Sequence, residues 1–219
     1  MEADARAFPA LHTSLMVSFS VCSRTTSWLA CLLLLVLWTG CQGSTSAVDS
    51  EATTSMPNYD TDAMERSIHE RVNSEREAAD RSPLAWSDDL AALSRSHSQD
   101  MIRRDFFDHV NPDGESPTER GQAMDVSCTT IVDNRPMGGI AENIYDAAAY
   151  HARRTTRRGD ETSVTYNWKT ADELSEAVVQ GWMGSTGHRR NILDEAYQVQ
   201  GIGVAVSDDL RVLVTQTFC

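Results

Sequence analysis

The sequence predicts an α+β domain in which several helices come first and a small antiparallel sheet follows. Apolar residues recur at helical spacing in the first half of the chain, and two capping motifs mark further helix starts. Near the end, Val199–Ser207 and Leu210–Phe218 are rich in β-branched residues and flank Asp208-Asp209, a pattern typical of a β-hairpin. Helices followed by paired strands favour a layered fold with helices packed against the sheet.

Two helices are predicted from apolar periodicity. The first ends near Ala79, and its buried face repeats every four residues through Met64, Ile68 and Val72. The second begins after Ser87, a favoured N-cap residue that precedes two acidic residues. Its apolar stripe consists of Leu90, Leu93, His97 and Met101.

Two capping boxes predict two further helices. In Ser116-Pro117-Thr118-Glu119, the serine and the glutamate can each bond the other's backbone N–H, and proline suits the first helical position. Thr170-Ala171-Asp172-Glu173 has the same arrangement. It leads into an apolar stripe of Leu174, Val178, Val179, Trp182 and Met183.

The segment from Tyr145 to Trp168 is long for a loop and rich in arginine. We expect a solvated insertion with some helix at Ala147–Arg154. The alternative is a basic patch that docks an anionic surface or a glycan. The arginines concerned are Arg153, Arg154, Arg157 and Arg158.

The N-terminal segment has the pattern of an export leader. Eleven apolar residues, Trp28–Trp38, follow Arg24, whereas a membrane-spanning helix needs roughly 20. Leu37-Trp38-Thr39-Gly40-Cys41 resembles a lipoprotein cleavage box, which would lipidate Cys41 and tether the protein through its N-terminus to the outer face of the membrane. A plain signal peptide, an uncleaved anchor and a start at Met16 remain open.

The composition divides the chain and limits its partners. We predict a leader in residues 1–40, a flexible Ser/Thr-rich tether in residues 41–61 and one folded domain in residues 62–219. The net charge of −13 repels phosphate backbones and argues against nucleic-acid binding. One lysine, Lys169, and abundant aspartate fit a halophilic surface, where salt screens self-repulsion.

Two of the five cysteines fall in the predicted folded domain. Cys22 and Cys31 lie in the leader, and Cys41 is the predicted lipidation site, which leaves Cys128 and Cys219. Since an exported protein meets oxidising conditions, we expect a disulfide between these two residues. It would pin the C-terminal strand.

Motifs that would assign a reaction directly are absent from the sequence: it has no H-E-x-x-H, no G-x-S-x-G, no P-loop and no G-x-G-x-x-G. It carries instead an ordered series of short polar and aromatic motifs. These are Asn73-Ser74-Glu75-Arg76, Pro83-Leu84-Ala85-Trp86-Ser87, Ser96–Met101, Phe106–His109, Asn111-Pro112-Asp113-Gly114, Ser116-Pro117, Glu142-Asn143-Ile144, Trp182-Met183-Gly184-Ser185, Gly187–Leu193, Gly201-Ile202-Gly203-Val204 and Thr215–Cys219.

Taken together and in this order, these motifs resemble the CAP superfamily, whose SCP domain is shared by cysteine-rich secretory proteins, antigen 5 venom proteins and plant pathogenesis-related proteins. The resemblance is to the microbial branch and covers residues 62–219. It implies a CAP-type α-β-α sandwich with a central antiparallel sheet. It also implies an open cavity, lined by two histidines and acidic residues, in which some members hold a divalent metal.

Carried over by position, the resemblance places His109, His188 and Glu142 in that cavity. Two imidazoles and one carboxylate form a ligand set that suits zinc. Ser185 occupies the position of the family's second acid, which weakens the metal site but leaves Ser185 among the candidate ligand-binding residues.

The same residues have structural alternatives. The two histidines can instead fix loops around the cavity by hydrogen bonds, and Glu142 can cap or brace backbone N–H groups. We expect His97 to be packed and hydrogen-bonded, and Asn143 and Asn191 to satisfy buried loop backbone.

Two functions follow. The first is an exported, non-enzymatic binding module at the outer face of the membrane or outside the cell. Its cavity binds a divalent metal or a small ligand, and its surface engages a cell-envelope component or lipid. The alternative is a metal-assisted hydrolase in which His109 and His188 hold the ion and Glu142 is a ligand or general base. The missing second acid favours the binding module, and a purely structural role at the cell surface is a third possibility.

Overall fold

The computed structural model describes residues 54–132 and 135–219. The leader, the lipidation of Cys41 and most of the tether were predicted for residues outside this range. The described residues belong to one compact unit. Within the described residues, no helix combines the length and the apolar character needed to cross a bilayer.

The described residues form five α-helices. They are α1 (Thr61–Ala78), α2 (Asp88–Arg103), α3 (Pro117–Ala123), α4 (Ala171–Gly184) and α5 (Thr186–Leu193). The first four confirm the four predicted helices, including the N-cap at Ser87 and both capping boxes, at Ser116 and Thr170. Helix α5 was not predicted, and its N-cap residue Ser185 makes no capping hydrogen bond with its side chain.

The strands form one central sheet and two hairpins. They are β1 (Ala85–Trp86), β2 (Thr129–Val132), β3 (Arg135–Gly138), β4 (Ala141–Ala148), β5 (Tyr150–Arg158), β6 (Glu161–Trp168), β7 (Val199–Val206) and β8 (Arg211–Phe218). The central sheet has the order β1-β7-β8-β4 and is antiparallel apart from the short β1–β7 pair. The predicted C-terminal hairpin is confirmed as β7–β8, with Val206 opposite Val212 at its closed end.

Helix α2 lies against one face of this sheet at very close range. A Cβ atom on Gly201 would come within 2.1 Å of the Ala91 backbone nitrogen, so glycine is required there for steric reasons. Ser94 Oγ donates to the Gly201 carbonyl at 3.1 Å, and Ser98 Oγ donates to the Gly203 carbonyl at 2.9 Å. These bonds fix the register of α2 against β7.

The opposite face of the sheet carries the larger core. Helices α1, α4 and α5 supply apolar side chains that pack against the residues of β7 and β8 that point away from α2. The predicted faces of α1 and α4 are both buried there, and Trp182 is fully enclosed. The core residues from these elements include Met64, Ile68, Val72, Leu174, Val178, Trp182, Ile192, Ile202, Val204, Val212 and Val214. Helices on both faces confirm the α-β-α sandwich.

The helix expected at Ala147–Arg154 is wrong. Ala147 and Ala148 end strand β4, and the segment from Tyr150 onward is the first strand of the β5–β6 hairpin. Gly159, with φ of +62°, forms the turn, and residues 162–166 supply threonine, valine and tyrosine, which favour strands. The expected exposure to solvent is confirmed along β5.

The predicted disulfide between Cys128 and Cys219 is present, with 5.4 Å between the two Cα atoms. The backbone of Cys219 also pairs with that of Val199 in both directions, at 2.9 and 3.0 Å. The C-terminus is therefore held both covalently and as an extension of the central sheet.

Candidate functional site

The candidate site is built around Glu142, the second residue of strand β4. The β4–β8 register places Glu142 opposite Thr217, at the edge of the central sheet. The alternation of the strand turns its side chain toward α2, where His97 lies with its Nε2 3.7 Å from Glu142 Oε1. The carboxylate is 1% exposed.

Both carboxylate oxygens of Glu142 are already hydrogen-bonded. Arg120 Nη2 donates to Oε2 at 2.5 Å, and His109 Nδ1 donates to Oε1 at 2.9 Å. Because a buried carboxylate is costly without such partners, the guanidinium and the imidazole are what allow Glu142 to lie here. Glu142 therefore braces two side chains; the alternative that it caps backbone N–H groups is wrong.

Arg120 holds the loop that carries His109. Its Nη1 donates to the carbonyl of His109 at 2.7 Å and to the carbonyl of Glu115 at 3.1 Å. The capping box at Ser116 starts helix α3 and so aims Arg120 at this loop and at Glu142. Sequence reasoning missed Arg120, since nothing in its local pattern distinguishes it from a surface arginine.

Asn111 orders the same loop from within. Its Oδ1 accepts from the backbone nitrogens of Asp113 and Glu115, at 3.1 and 2.9 Å, and its side chain is largely buried. Bonds of this kind replace secondary structure in an irregular segment. They give His109 a defined position although it belongs to no helix or strand.

His97 is packed and hydrogen-bonded, as predicted. Its Nε2 donates to the carbonyl of Asp108 at 3.0 Å, which assigns the hydrogen to that nitrogen. Burial lowers the pKa of His97, although the nearby Glu142 carboxylate opposes the shift. Among the described atoms, His97 Nδ1 and Arg120 Nε have no hydrogen-bond partner. Both residues line a cavity of about 250 Å³ that also reaches Asp100 and Asn111.

The rings of the two predicted histidines, His109 and His188, lie close together. The ring centroids of His109 and His188 are 6.5 Å apart in an edge-to-face arrangement. The hydrogen bond to Glu142 raises the pKa of His109, against the opposing effect of burial. Burial lowers the pKa of His188, and the charge of His109 lowers it further. The two pKa values therefore shift in opposite directions, and His109 keeps its proton to higher pH than His188 does.

A ladder of buried amides positions the helix that carries His188. Asn143 Nδ2 donates to the His188 carbonyl at 3.2 Å and to Gln216 Oε1 at 3.0 Å. Gln216 Nε2 donates to Gln200 Oε1 at 2.6 Å. The ladder thus crosses strands β4, β8 and β7. It ties α5 to the sheet and fixes the position of the His188 backbone.

Asn143 and Asn191 both hydrogen-bond to backbone carbonyls, as predicted, but these carbonyls do not belong to a loop. Asn191 Nδ2 donates to the Glu142 carbonyl at 3.2 Å and to Asn143 Oδ1 at 2.9 Å. Together, the two side chains satisfy backbone carbonyls of α5 and β4, whereas loop backbone was expected. Gln200 and Gln216 were not foreseen, because single glutamines in apolar strands carry no motif.

Ser185 joins α4 to α5, three residues before His188, and its side chain is half-buried. The structure brings His109 and Glu142 into contact and His188 close to His109. The ligand role of Ser185 stays a prediction.

The predicted zinc site sets a limit on the distance between the two imidazole rings. A zinc ion about 2.0–2.1 Å from a nitrogen of each ring allows centroids at most about 6.4 Å apart, and nearer 5 Å in tetrahedral geometry. The observed separation is 6.5 Å, and both oxygens of Glu142 are engaged. Within the part of the chain that the structure describes, no group of three His, Cys, Asp or Glu side chains is placed to hold a metal. This conformation does not fit a metal held by all three residues.

The model of the cysteine-rich secretory protein family matches residues 69–218. The chain is 27% identical over 172 residues to the uncharacterized protein YkwD of Bacillus subtilis (strain 168), covering 78% of this chain and 54% of that protein. The chain thus spans about half the length of this curated relative.

Two solved structures have a similar fold. One is an extracellular protein containing an SCP domain from Bacillus anthracis str. Ames, with a TM-score of 0.50 and 25% identity over 75% of this chain and 44% of that chain. The other is an outer surface protein of Borrelia burgdorferi, with a TM-score of 0.53 and 14% identity over 75% of this chain and 97% of that chain.

Proposed function

This chain belongs to the cysteine-rich secretory protein (CAP) family, and we propose that it is an exported, non-enzymatic binding module. The rings of His109 and His188, which lie close together, bind a small ligand, and the buried Glu142 holds His109 in place. Its place is the outer face of the membrane or the extracellular space, where its surface engages a cell-envelope component.

One observation carries the proposal for binding over catalysis. Glu142, the acid that would serve as general base, is 1% exposed and has both oxygens occupied by Arg120 and His109. A general base must reach the proton that it removes, within about 3 Å or through one water. The imidazoles of His109 and His188 are accessible to a ligand, whereas the Glu142 carboxylate is not. The two rings therefore supply the polar contacts.

The histidines define the chemistry of the ligand. Because Nδ1 of His109 points at Glu142, its Nε2 is the nitrogen left for a ligand. The raised pKa of His109 keeps that nitrogen a donor over a wider pH range, whereas the lowered pKa of His188 keeps one of its ring nitrogens an acceptor. A ligand with an anionic or carbonyl oxygen beside a hydroxyl fits this pair.

Export is supported from three directions. The relative from Bacillus anthracis is described as extracellular, and it shares 25% of aligned residues with this chain. The Cys128–Cys219 disulfide suits an oxidising compartment. The segment before residue 42 has the pattern of a leader.

The experiment compares wild type with the His109→Ala/His188→Ala double variant, each purified from the exported fraction. Native mass spectrometry detects a bound small molecule, and elemental analysis measures zinc. His151→Ala is the control, because His151 is an exposed histidine that contacts Glu173 on another surface. We expect a small molecule on wild type and on the control that is absent from the double variant.

The metal-assisted hydrolase is tested by the same proteins. Stoichiometric zinc on wild type that is lost in the double variant, with peptide or ester hydrolysis lost alongside it, would replace the binding proposal. Zinc-free protein that carries a ligand supports the proposal. Wild type that carries neither ligand nor metal contradicts it.

A further inference from the structure

The β5–β6 hairpin is a second surface with its own chemistry. Its two strands pair with each other and form a sheet separate from the central one. Residues 151–160 are all exposed, so the hairpin is not part of the core. An exposed two-stranded ribbon adds little to stability, so packing in the core does not dictate its sequence.

The hairpin carries four arginines in six residues, distributed over both faces. Strand alternation places Arg153 and Arg157 on one face, and Arg154 and Arg158 on the other. No ion pair joins any of the four to a carboxylate among the residues that the structure describes. By contrast, Arg71, Arg95, Arg104 and Arg211 all pair with acidic side chains.

The charge of the molecule is segregated between this hairpin and the remainder. Residues 150–168 hold the four arginines against Asp160 and Glu161, which gives +2, whereas the whole chain carries −13 and the remainder therefore −15. Strand β5 has nine residues, about 30 Å at roughly 3.3 Å per residue. Because the Debye length is about 8 Å at physiological salt, the acidic body is largely screened at the hairpin tip.

We propose that the β5–β6 hairpin docks the domain on an anionic phospholipid bilayer. Each arginine near an anionic membrane surface favours binding, and guanidinium groups form bidentate hydrogen bonds with phosphate. The predicted lipid anchor at Cys41 would hold the domain within reach, since a flexible tether of about 20 residues spans roughly 25 Å. Docking of this kind turns the acidic body away from the membrane.

A bilayer suits the hairpin better than a glycan. Sugar recognition relies on exposed aromatic faces, but Tyr150, Tyr166 and Trp168 lie at the base of the hairpin, half-buried and packed on one another. The outer part of the ribbon offers guanidinium and hydroxyl groups. These groups match a dense array of lipid phosphates and do not require a shaped groove.

The test measures co-sedimentation with vesicles of phosphatidylcholine mixed with phosphatidylglycerol, and of phosphatidylcholine alone. The protein spans residues 42–219, which include all the described residues and leave out the predicted leader. Variants remove one face, R153Q/R157Q, the other face, R154Q/R158Q, or all four charges. The matched control, R66Q/R103Q, removes two exposed arginines from helices α1 and α2. Thermal unfolding checks that each variant is folded.

We expect wild type to bind the anionic vesicles at physiological salt, where the acidic body is screened, and to be released by high salt. Each arginine near an anionic surface raises the partition coefficient about fivefold, so the quadruple variant should lose roughly several hundredfold. The control should bind like wild type, and neutral vesicles should bind none of the proteins.

Three results would overturn the proposal: equal binding of wild type and the quadruple variant, equal binding to neutral vesicles, or hairpin-dependent binding to the polyanion dextran sulfate without binding to vesicles. The last would assign the hairpin to an anionic polymer. Since no variant alters His109, Glu142 or His188, failure here is distinct from failure of the pocket proposal.

Discussion

The Glu142 carboxylate is held in the protein by the Arg120 guanidinium, with both side chains more than nine-tenths buried. Glu142→Gln leaves that guanidinium buried beside a neutral amide. Removal of one partner of a buried pair costs about 3–5 kcal/mol, so we expect the free energy of unfolding to fall by that order in urea denaturation.

The control for this substitution is Asp113→Asn, which breaks the exposed pair with Arg104. Exposed pairs contribute little to stability, and we expect little change. Equal losses in both variants would mean that Glu142 is solvated in the folded protein, contrary to its position here.

His109 makes stability depend on pH in a defined direction. Since its pKa is raised by the Glu142 hydrogen bond, the folded protein binds this proton more tightly than the unfolded chain does. The stabilisation is fully present below the unfolded pKa of about 6.5 and is lost as pH rises through the folded value. Unfolding of wild type and His109→Gln, measured in a chelator, should therefore differ more at acidic than at alkaline pH.

The neighbouring histidines act in the opposite direction. The lowered pKa values of His97 and His188 reduce stability as pH falls below about 6.5. The difference between wild type and variant therefore removes the contribution of His97 and reports His109 together with its effect on His188. In NMR titration, His109 should titrate above His188. A difference in stability that is constant with pH would contradict the assigned hydrogen bond.

Site residues could be predicted from the sequence only where they belong to a motif of the family. His109, Glu142 and His188 follow from the family resemblance, and the structure brings the first two into contact. Arg120 meets Glu142 across 22 residues of sequence, and Gln216 meets Asn143 across 73. Such contacts are set by the packing of α3 and the register of β8, which local sequence does not encode.

At the scale of elements, the closest packing is that of α2 on β7. Gly201→Ala would place a methyl carbon 2.1 Å from the Ala91 nitrogen and 2.2 Å from the Leu90 carbonyl carbon, both backbone atoms that cannot rotate away. Overpacking typically costs 1–3 kcal/mol, and we expect about 3 kcal/mol or more here, measured by urea unfolding.

Gly184→Ala is the matched control, because nothing lies within 4 Å of a Cβ at that position in the last turn of α4. Alanine favours helix over glycine by up to about 1 kcal/mol, so this variant should be unchanged or slightly more stable. If Gly201→Ala behaved in the same way, α2 would not lie as close to β7 as described.

Elements with local signals were predictable, and those without them were not. The capping boxes at Ser116 and Thr170 satisfy their own backbone groups within four residues, so sequence alone locates α3 and α4. Strand β4 depends on pairing with β8, which lies about 70 residues later, and its Ala147-Ala148 end resembles helix in isolation. The wrong helix at Ala147–Arg154 follows from that non-local pairing.

At the scale of the whole molecule, the predicted anchor at Cys41 determines where the domain works. Acyl chains attached to a protein bind a membrane by burying CH₂ groups, and a basic surface adds a smaller electrostatic contribution. If lipid at Cys41 supplies the larger share, Cys41→Ala should release the protein to the medium in cell fractionation. Unchanged membrane retention would indicate an uncleaved leader.

The disulfide joins Cys128, just before β2, to Cys219, just after β8, and closes a loop with a sequence separation of 91 residues. By the chain-entropy account, closing so long a loop stabilises the folded state by about 4.6 kcal/mol at most. Cys128→Ser/Cys219→Ser should lower the free energy of unfolding by up to that amount. The measurement is urea denaturation, compared with reduced wild type as a control.

Removing the disulfide should lower the free energy of unfolding of the whole domain without changing the folded structure. Strand β8 lies between β7 and β4 and keeps its full backbone pairing with both, and the Cys219 backbone still bonds to Val199. The disulfide therefore restricts mainly the unfolded chain, and the variant should retain the circular dichroism spectrum of wild type. Free thiols at both cysteines in wild type, shown by non-reducing peptide mapping, would contradict this account, because the sheet alone would then hold the C-terminus.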